Sequence, residues 1–185
     1  MEITWLGHSS IRMVSRDIVL ITDPYPDSIG FSMESQQAEV VTVSNGHPNH
    51  SSLDSVGGDP RVLKGPGQYE VKGYNVTGMG TRLADLDERR QINTVFTIRA
   101  EGLTLCHLGD LNDRLSPGQL DSLGNIDILM VPAGGGCTIE VGDVPQLVSV
   151  LSPRIVIPVH YGYESTVGML APVERLLTEL SVEDA

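Results

Sequence analysis

The sequence is short of aromatic side chains, cysteine and positive charge, and it has no long apolar run. Trp5, five tyrosines and two phenylalanines make up only 4% of the 185 residues. Val, Ile and Leu must therefore fill the core, and the β-branched members of that set favour strand over helix. Cys106 lies in an apolar strand pattern and Cys137 follows a glycine run; two thiols so placed exclude a disulfide framework. Twelve Lys and Arg oppose 24 Asp and Glu, a formal net charge of −12. The basic residues are scattered singly, so the electrostatic footprint of a nucleic-acid binder is missing. No apolar stretch approaches the roughly 18 residues of a membrane span, and the chain starts on a strand pattern without a charged leader. The expectation is a cytoplasmic protein that engages neither membrane nor nucleic acid.

What is present suits one globular domain spanning residues 1–185. The chain is 40% apolar and 19% charged, a balance that sets it apart from disordered chains. Short β-branched segments bounded by Gly, Pro, Asn or Asp predict strands at Glu2–Leu6, Ser10–Val14, Asp17–Thr22, Glu39–Val43, Arg61–Lys64, Tyr74–Thr77, Asn93–Arg99, Leu103–His107, Asp127–Val131 and Arg154–Val159. Helices are predicted over Pro117–Leu123 behind a Ser116 cap, over Val144–Leu151 behind Asp143, over Pro172–Leu180, and weakly after His50. Runs of strands that give way to strand–helix alternation imply an α/β sandwich, with helices packed outside two mixed sheets. Two apolar strands each end in an Asp-bearing turn, at Ile18–Asp23 and Leu103–Asp110, which hints at a duplicated unit.

Sheet scaffolds present functional groups on the loops at strand ends. Three such places carry chemistry here: Thr42–His50 with His47 and His50, His107–Asp110, and Ile157–Gly162 with His160. Imidazole nitrogen and carboxylate oxygen are ligands for zinc and similar cations, and His47, His50, Asp110 and His160 could supply four. A lone histidine at a strand end is more often a hydrogen-bonded loop residue, but His47, His50 and His160 share one kind of position. Other features read as structure. His8-Ser9-Ser10 fits a hairpin turn better than a serine nucleophile. Gly65-Pro66-Gly67 is a turn without the phosphate-loop pattern. Cys137 has nothing beside it to make a thiolate. The charged run Asp85, Asp87, Glu88, Arg89 and Arg90 reads as a solvated loop. Gly134, Gly135 and Gly136, with Thr138, could expose amides to an anion, although three glycines more often simply permit a tight loop.

These segments resemble the metallo-β-lactamase superfamily. Trp5-Leu6-Gly7-His8-Ser9, Thr22-Asp23-Pro24, Ser44 to His50, Gly65-Pro66-Gly67, His107-Leu108-Gly109-Asp110, Pro132 to Gly135 and Ile157 to Tyr161 occur in that family's order across nearly the whole chain. The resemblance looks closest to the small single-domain branch of ascorbate-6-phosphate lactonase-like hydrolases. It implies an αββα sandwich and a metal motif His-x-His-x-Asp-His, which falls on Asn45, His47, Asn49 and His50. It also implies a further histidine where Leu83 stands, a bridging acid at Asp110 and a final histidine at His160. Asp23 matches an acid that orients the first motif histidine from behind, a partner replaced here by Asn45; the alternative is that Asp23 caps the turn before Pro24.

Three ligand positions are therefore substituted, by Asn45, Asn49 and Leu83. A leucine cannot coordinate and a neutral amide is a poor zinc ligand, so the first of the family's two metal positions should be empty. The second keeps His50, Asp110 and His160. The chain should hold at most one divalent ion (zinc, manganese or iron) or none. With Asn49 in place of an acid, hydrolysis should be weak or lost. The alternative is an active one-metal hydrolase of a small lactone or phosphorylated carbohydrate.

Overall fold

The structure is a computed structural model that describes residues 1–83, 92–163 and 170–181. The charged run from Asp85 to Arg90 lies outside the described residues. The chain forms β1 (Glu2–Gly7), β2 (Ser10–Ser15), β3 (Ile18–Thr22), β4 (Gln36–Gln37), β5 (Val40–Val43), α1 (Pro48–Ser51), β6 (Val56–Gly57), β7 (Arg61–Lys64) and β8 (Gly67–Val71). It continues through β9 (Tyr74–Arg82), β10 (Ile92–Ala100), β11 (Leu103–His107), α2 (Pro117–Leu123), β12 (Ile128–Pro132), α3 (Val144–Leu151), β13 (Ile155–Val159) and α4 (Val173–Glu179).

Two mixed sheets face each other, as expected. One has strand order β1-β2-β3-β5-β7 and the other β13-β12-β11-β10-β9-β8, while β4 and β6 pair separately. In the first, β1, β2 and β3 are antiparallel neighbours and β3, β5 and β7 run parallel. In the second, β9, β10 and β11 are antiparallel and β11, β12 and β13 parallel. The same five-strand pattern thus occurs twice, with β3 and β11 in equivalent places. Each is followed by its acid, Asp23 or Asp110.

Strand side chains alternate between faces, which sorts the apolar residues into three layers. Between the sheets lie Ile11, Met13, Leu20, Val40 and Leu63 from one side and Val76, Phe96, Ile98, Leu105 and Met130 from the other. The outer face of the second sheet packs Cys106, Leu129 and Val131 against Leu123, Leu147 and Leu176 of α2, α3 and α4. On the outer face of the first sheet, Ile21, Val41 and Val43 meet Tyr25, Met33, Ala38 and Val56. Among the described residues that layer contains only the single turn of α1 and a short 3-10 turn at Asp27–Ile29, so one of the two expected helical faces is mostly irregular chain there. Ser116 caps α2 in a reciprocal capping box with Gln119. Asp143 flanks α3 without capping it by side chain; its carboxylate instead pairs with Arg114 at 2.7 Å.

Tyr74 ties the sheets together. Its buried hydroxyl reaches the carbonyls of Ile18 at 3.1 Å and Met13 at 3.3 Å, and burial pushes the phenol up to about 12. Tyr74→Phe should lower unfolding free energy by about 1 kcal/mol, and Phe96→Ala in the same layer by about 3–5 kcal/mol. Urea melts with unchanged slope would check both.

Candidate metal centre

Parallel strands gather functional loops at their carboxyl ends. The ends of β3, β5, β11 and β13 bring Asp23, Asn45, Asp110 and His160 together, and the turn between β1 and β2 adds His8. Three of these non-glycine residues have left-handed backbone: His8 at φ 48°, Asp23 at φ 40° and His160 at φ 51°. Such conformations cost of order 1–3 kcal/mol each and concentrate at functional sites. Gly109, at φ 58°, makes the corresponding turn before Asp110. A Cβ there would collide with Asn93 and Ser44, so only glycine lets the strand end approach so closely.

His50 is the centre of the cluster. His47 caps α1 by accepting from Asn49 N through Nδ1 at 3.1 Å, and Pro48 occupies the first turn. This single turn of helix aims His50 inward. Its Nδ1 lies 2.9 Å from Asp23 Oδ2 and its Nε2 lies 3.0 Å from Asp110 Oδ2. Asp23 also accepts from the Ser44 amide at 2.7 Å and from the Ser44 hydroxyl. Asp110 is held by its amide, which donates to Asn93 Oδ1 at 2.9 Å. Asn93 in turn donates to Leu108 O at 2.9 Å and to Thr81 Oγ1 at 3.0 Å.

Burial would lower the His50 pKa, but the carboxylates of Asp110 and Asp23 outweigh it and raise it to about 10. Burial likewise opposes ionisation of Asp110, yet His50 and His160 pull it well below the usual carboxylate range. Neither of the other two central histidines has a carboxylate within hydrogen-bond reach. Burial, then His160 and His50, pushes His8 down to about 2. Burial takes His160 to about 4 even though Asp110 works against it.

The structure brings His50, Asp110 and His160 together, with His160 Nδ1 3.6 Å from Asp110 Oδ1. His47 stands further out, its ring centroid 6.2 Å from that of His50. Asn45 donates from Nδ2 to Asp110 Oδ2 at 2.9 Å and accepts from the His47 amide at 2.8 Å. Asn49 is half-buried on α1 and Leu83 half-buried just past β9. In the glycine loop, Gly135 and Gly136 have positive φ, and Gly134 abuts His160, whose carbonyl would lie 2.5 Å from an added Cβ. Thr138 donates its amide and hydroxyl to Gly135 O, so those two groups are engaged inside the loop.

Sequence reasoning missed His8 as part of this centre. Its ring centroid lies 4.4 Å from His160 and 5.0 Å from His50. The ligand atoms of His8, His50 and His160 all fall within 4.8 Å of one another. The available signal was position, since His8 ends a strand as His160 does. Beside it, Trp5 stacks on Tyr161 at 5.2 Å and meets Phe31 edge-on at 5.7 Å.

A two-sheet sandwich with a histidine–carboxylate cluster at its strand ends is the build of a metallohydrolase. The chain belongs to the metallo-β-lactamase superfamily: the family model for the beta-lactamase superfamily domain matches residues 2–160. A Thermotoga maritima protein assigned to the zinc-dependent hydrolases of that superfamily is 34% identical, with a TM-score of 0.80 over 95% of this chain and 84% of the other. A UPF0173 protein of Pyrococcus abyssi is 27% identical over 88% of this chain and 84% of its own. A UPF0173 metal-dependent hydrolase of Carboxydothermus hydrogenoformans is 25% identical over 87% and 84%.

In metal-free protein, His50 should remain protonated at neutral pH, and Asp110→Asn should lower its pKa by removing one of the two facing carboxylates. Long-range 15N–1H correlation of the imidazoles would read this directly. The sign for stability follows by linkage. The raised pKa contributes stability that is complete below the ordinary 6.5 and is lost as pH rises through about 10. The metal-free wild type should therefore lose more stability than Asp110→Asn on going from neutral to alkaline pH.

Proposed function

We propose that this member of a metal-dependent hydrolase family holds at most one divalent ion, through His50, Asp110 and His160, and that its hydrolase activity is weak or lost. The observation that carries the reading is the hydrogen bond from Asn45 Nδ2 to Asp110 Oδ2. The amide donates to the very carboxylate that the family uses to bridge two ions, and it places a neutral donor where the motif would place an imidazole. Leu83 offers that position no ligand atom either.

The remaining donors fit a single ion. Asp110 Oδ1, His160 Nδ1 and His8 Nδ1 are buried and lack a hydrogen-bond partner. Buried polar atoms are nearly always satisfied, so an unpartnered Asp110 Oδ1 3.6 Å from His160 Nδ1, with His8 next to His160, supports a shared partner. A divalent ion there would supply positive charge to acidify a water and to stabilise the oxyanion that forms during ester or lactone hydrolysis. Asp23 fixes the ring of His50 through Nδ1 and leaves Nε2 facing inward. Asn49 cannot take a proton from an attacking water, which is the physical reason for weak turnover.

The gathering of these unpartnered atoms also favours a second reading, an active one-metal hydrolase acting on a small lactone or phosphorylated carbohydrate. Mass-spectrometric metal analysis on protein purified without chelators or a polyhistidine tag should find about one equivalent, lost in His160→Ala; no metal after incubation with zinc, manganese or iron(II) would overturn the active one-metal reading and favour a noncatalytic protein, whereas two equivalents would overturn the reading of at most one ion. Turnover of lactones and phosphoesters by the loaded protein then separates them. The combined variant Asn45→His, Asn49→Asp, Leu83→His should raise the metal content towards two, read by the same measurement.

A further inference from the structure

We infer that His8, carried on the turn between β1 and β2, is a direct ligand of the ion. This rests on the one-ion reading above and adds a donor from a part of the chain far from the metal motif.

Four observations converge on it. His8 Nδ1 is buried, has no hydrogen-bond partner and shares that condition with Asp110 Oδ1 and His160 Nδ1. The spacing is close to what coordination needs. Donors bound about 2.0–2.2 Å from one tetrahedral ion stand roughly 3.3–3.6 Å apart; His160 Nδ1 and Asp110 Oδ1 are 3.6 Å apart, and His50 Nε2 stands at hydrogen-bond distance, 3.0 Å, from Asp110 Oδ2. The His8 ligand atom lies within 4.8 Å of those of His50 and His160. Coordination therefore asks for a short inward movement and no refolding.

The turn itself is braced. The His8 carbonyl accepts from the Trp5 indole at 3.0 Å and from the His160 amide at 2.9 Å. The next carbonyl, Ser9 O, accepts from the Thr22 hydroxyl at 3.1 Å and lies 2.8 Å from His107 Nε2. Four partners on two consecutive carbonyls, one of them a buried histidine, are more than a hairpin turn needs to close. Finally, His8 is held at φ 48°, a conformation that costs a histidine free energy and that serves here to turn its ring towards the other two. The three imidazoles form one mutually close donor set, with the Asp110 carboxylate beside His50 and His160.

The test compares zinc and cobalt(II) binding by the full-length wild type and by His8→Asn, since asparagine tolerates the left-handed turn. Zinc affinity, measured by competition with a chromophoric chelator, should fall by more than the roughly 10–100-fold typical of losing an outer partner. The visible cobalt bands of the variant should weaken or shift. Unchanged affinity and bands in His8→Asn, with binding still abolished in His160→Ala, would overturn the inference and leave the one-ion reading standing. Absence of binding to the wild type would overturn both. In case the variant misfolds, the wild type supplies its own readout: zinc should move the 15N resonance of His8 Nδ1 to a metal-bound value, and a resonance that stays put would refute direct ligation.

Discussion

A buried imidazole gripped by two carboxylates, Asp23 buried and Asp110 half-buried, is the constraint around which the rest of the centre is arranged. Asp23 and Asp110 follow equivalent strands of the two sheets, β3 and β11, and close on opposite nitrogens of His50 at 2.9 and 3.0 Å. Each carboxylate is costly to bury alone, and each is stabilised by the shared cation and by fixed donors, Ser44 for Asp23 and Asn45 for Asp110. The repeated sheet pattern thus has a chemical outcome: two copies of one strand-and-acid unit meet across a single histidine.

That arrangement dictates much of the backbone around it. The acids and histidines must turn sharply off their strands, which is why Asp23, His160 and His8 accept left-handed φ and why Gly109 tolerates no side chain. Asn93, at the start of β10, exerts its control through the main chain: it holds the amide of Asp110 and the carbonyl of Leu108, and so sets where the carboxylate points. This framework depends on hydrogen bonds that need no ion.

The framework was legible in the sequence where the pattern is local. Alternating apolar residues located the long strands, and the Ser116–Gln119 pair marked the start of α2. β8 escaped because Gly65-Pro66-Gly67 read as a turn with nothing behind it, and polar Gln68 and Glu70 occupy its exposed face. β4 and β6 have two residues each, too few for a period to show. In the site, His50, Asp110 and His160 could be read from a resemblance to known motifs. His8 could not be assigned from its neighbours, for the groups that give it a role lie 42 and 152 residues further along the chain, and only the closing of the two sheets brings them within reach. The pairing of Asn45 with Asp110 is equally non-local, as is the use of the Asp143 carboxylate by Arg114 in place of a helix cap.

The scarcity of aromatic residues takes on another meaning once their positions are known. Of the eight, Trp5, Tyr25, Phe31, Tyr161 and Tyr163 form one connected group beside His8. Trp5 is the sole indole of the chain, and its N–H is bonded to the His8 carbonyl. Light absorbed at the red edge of the protein spectrum therefore enters through this corner alone, so emission excited there is a built-in lamp beside the histidine cluster.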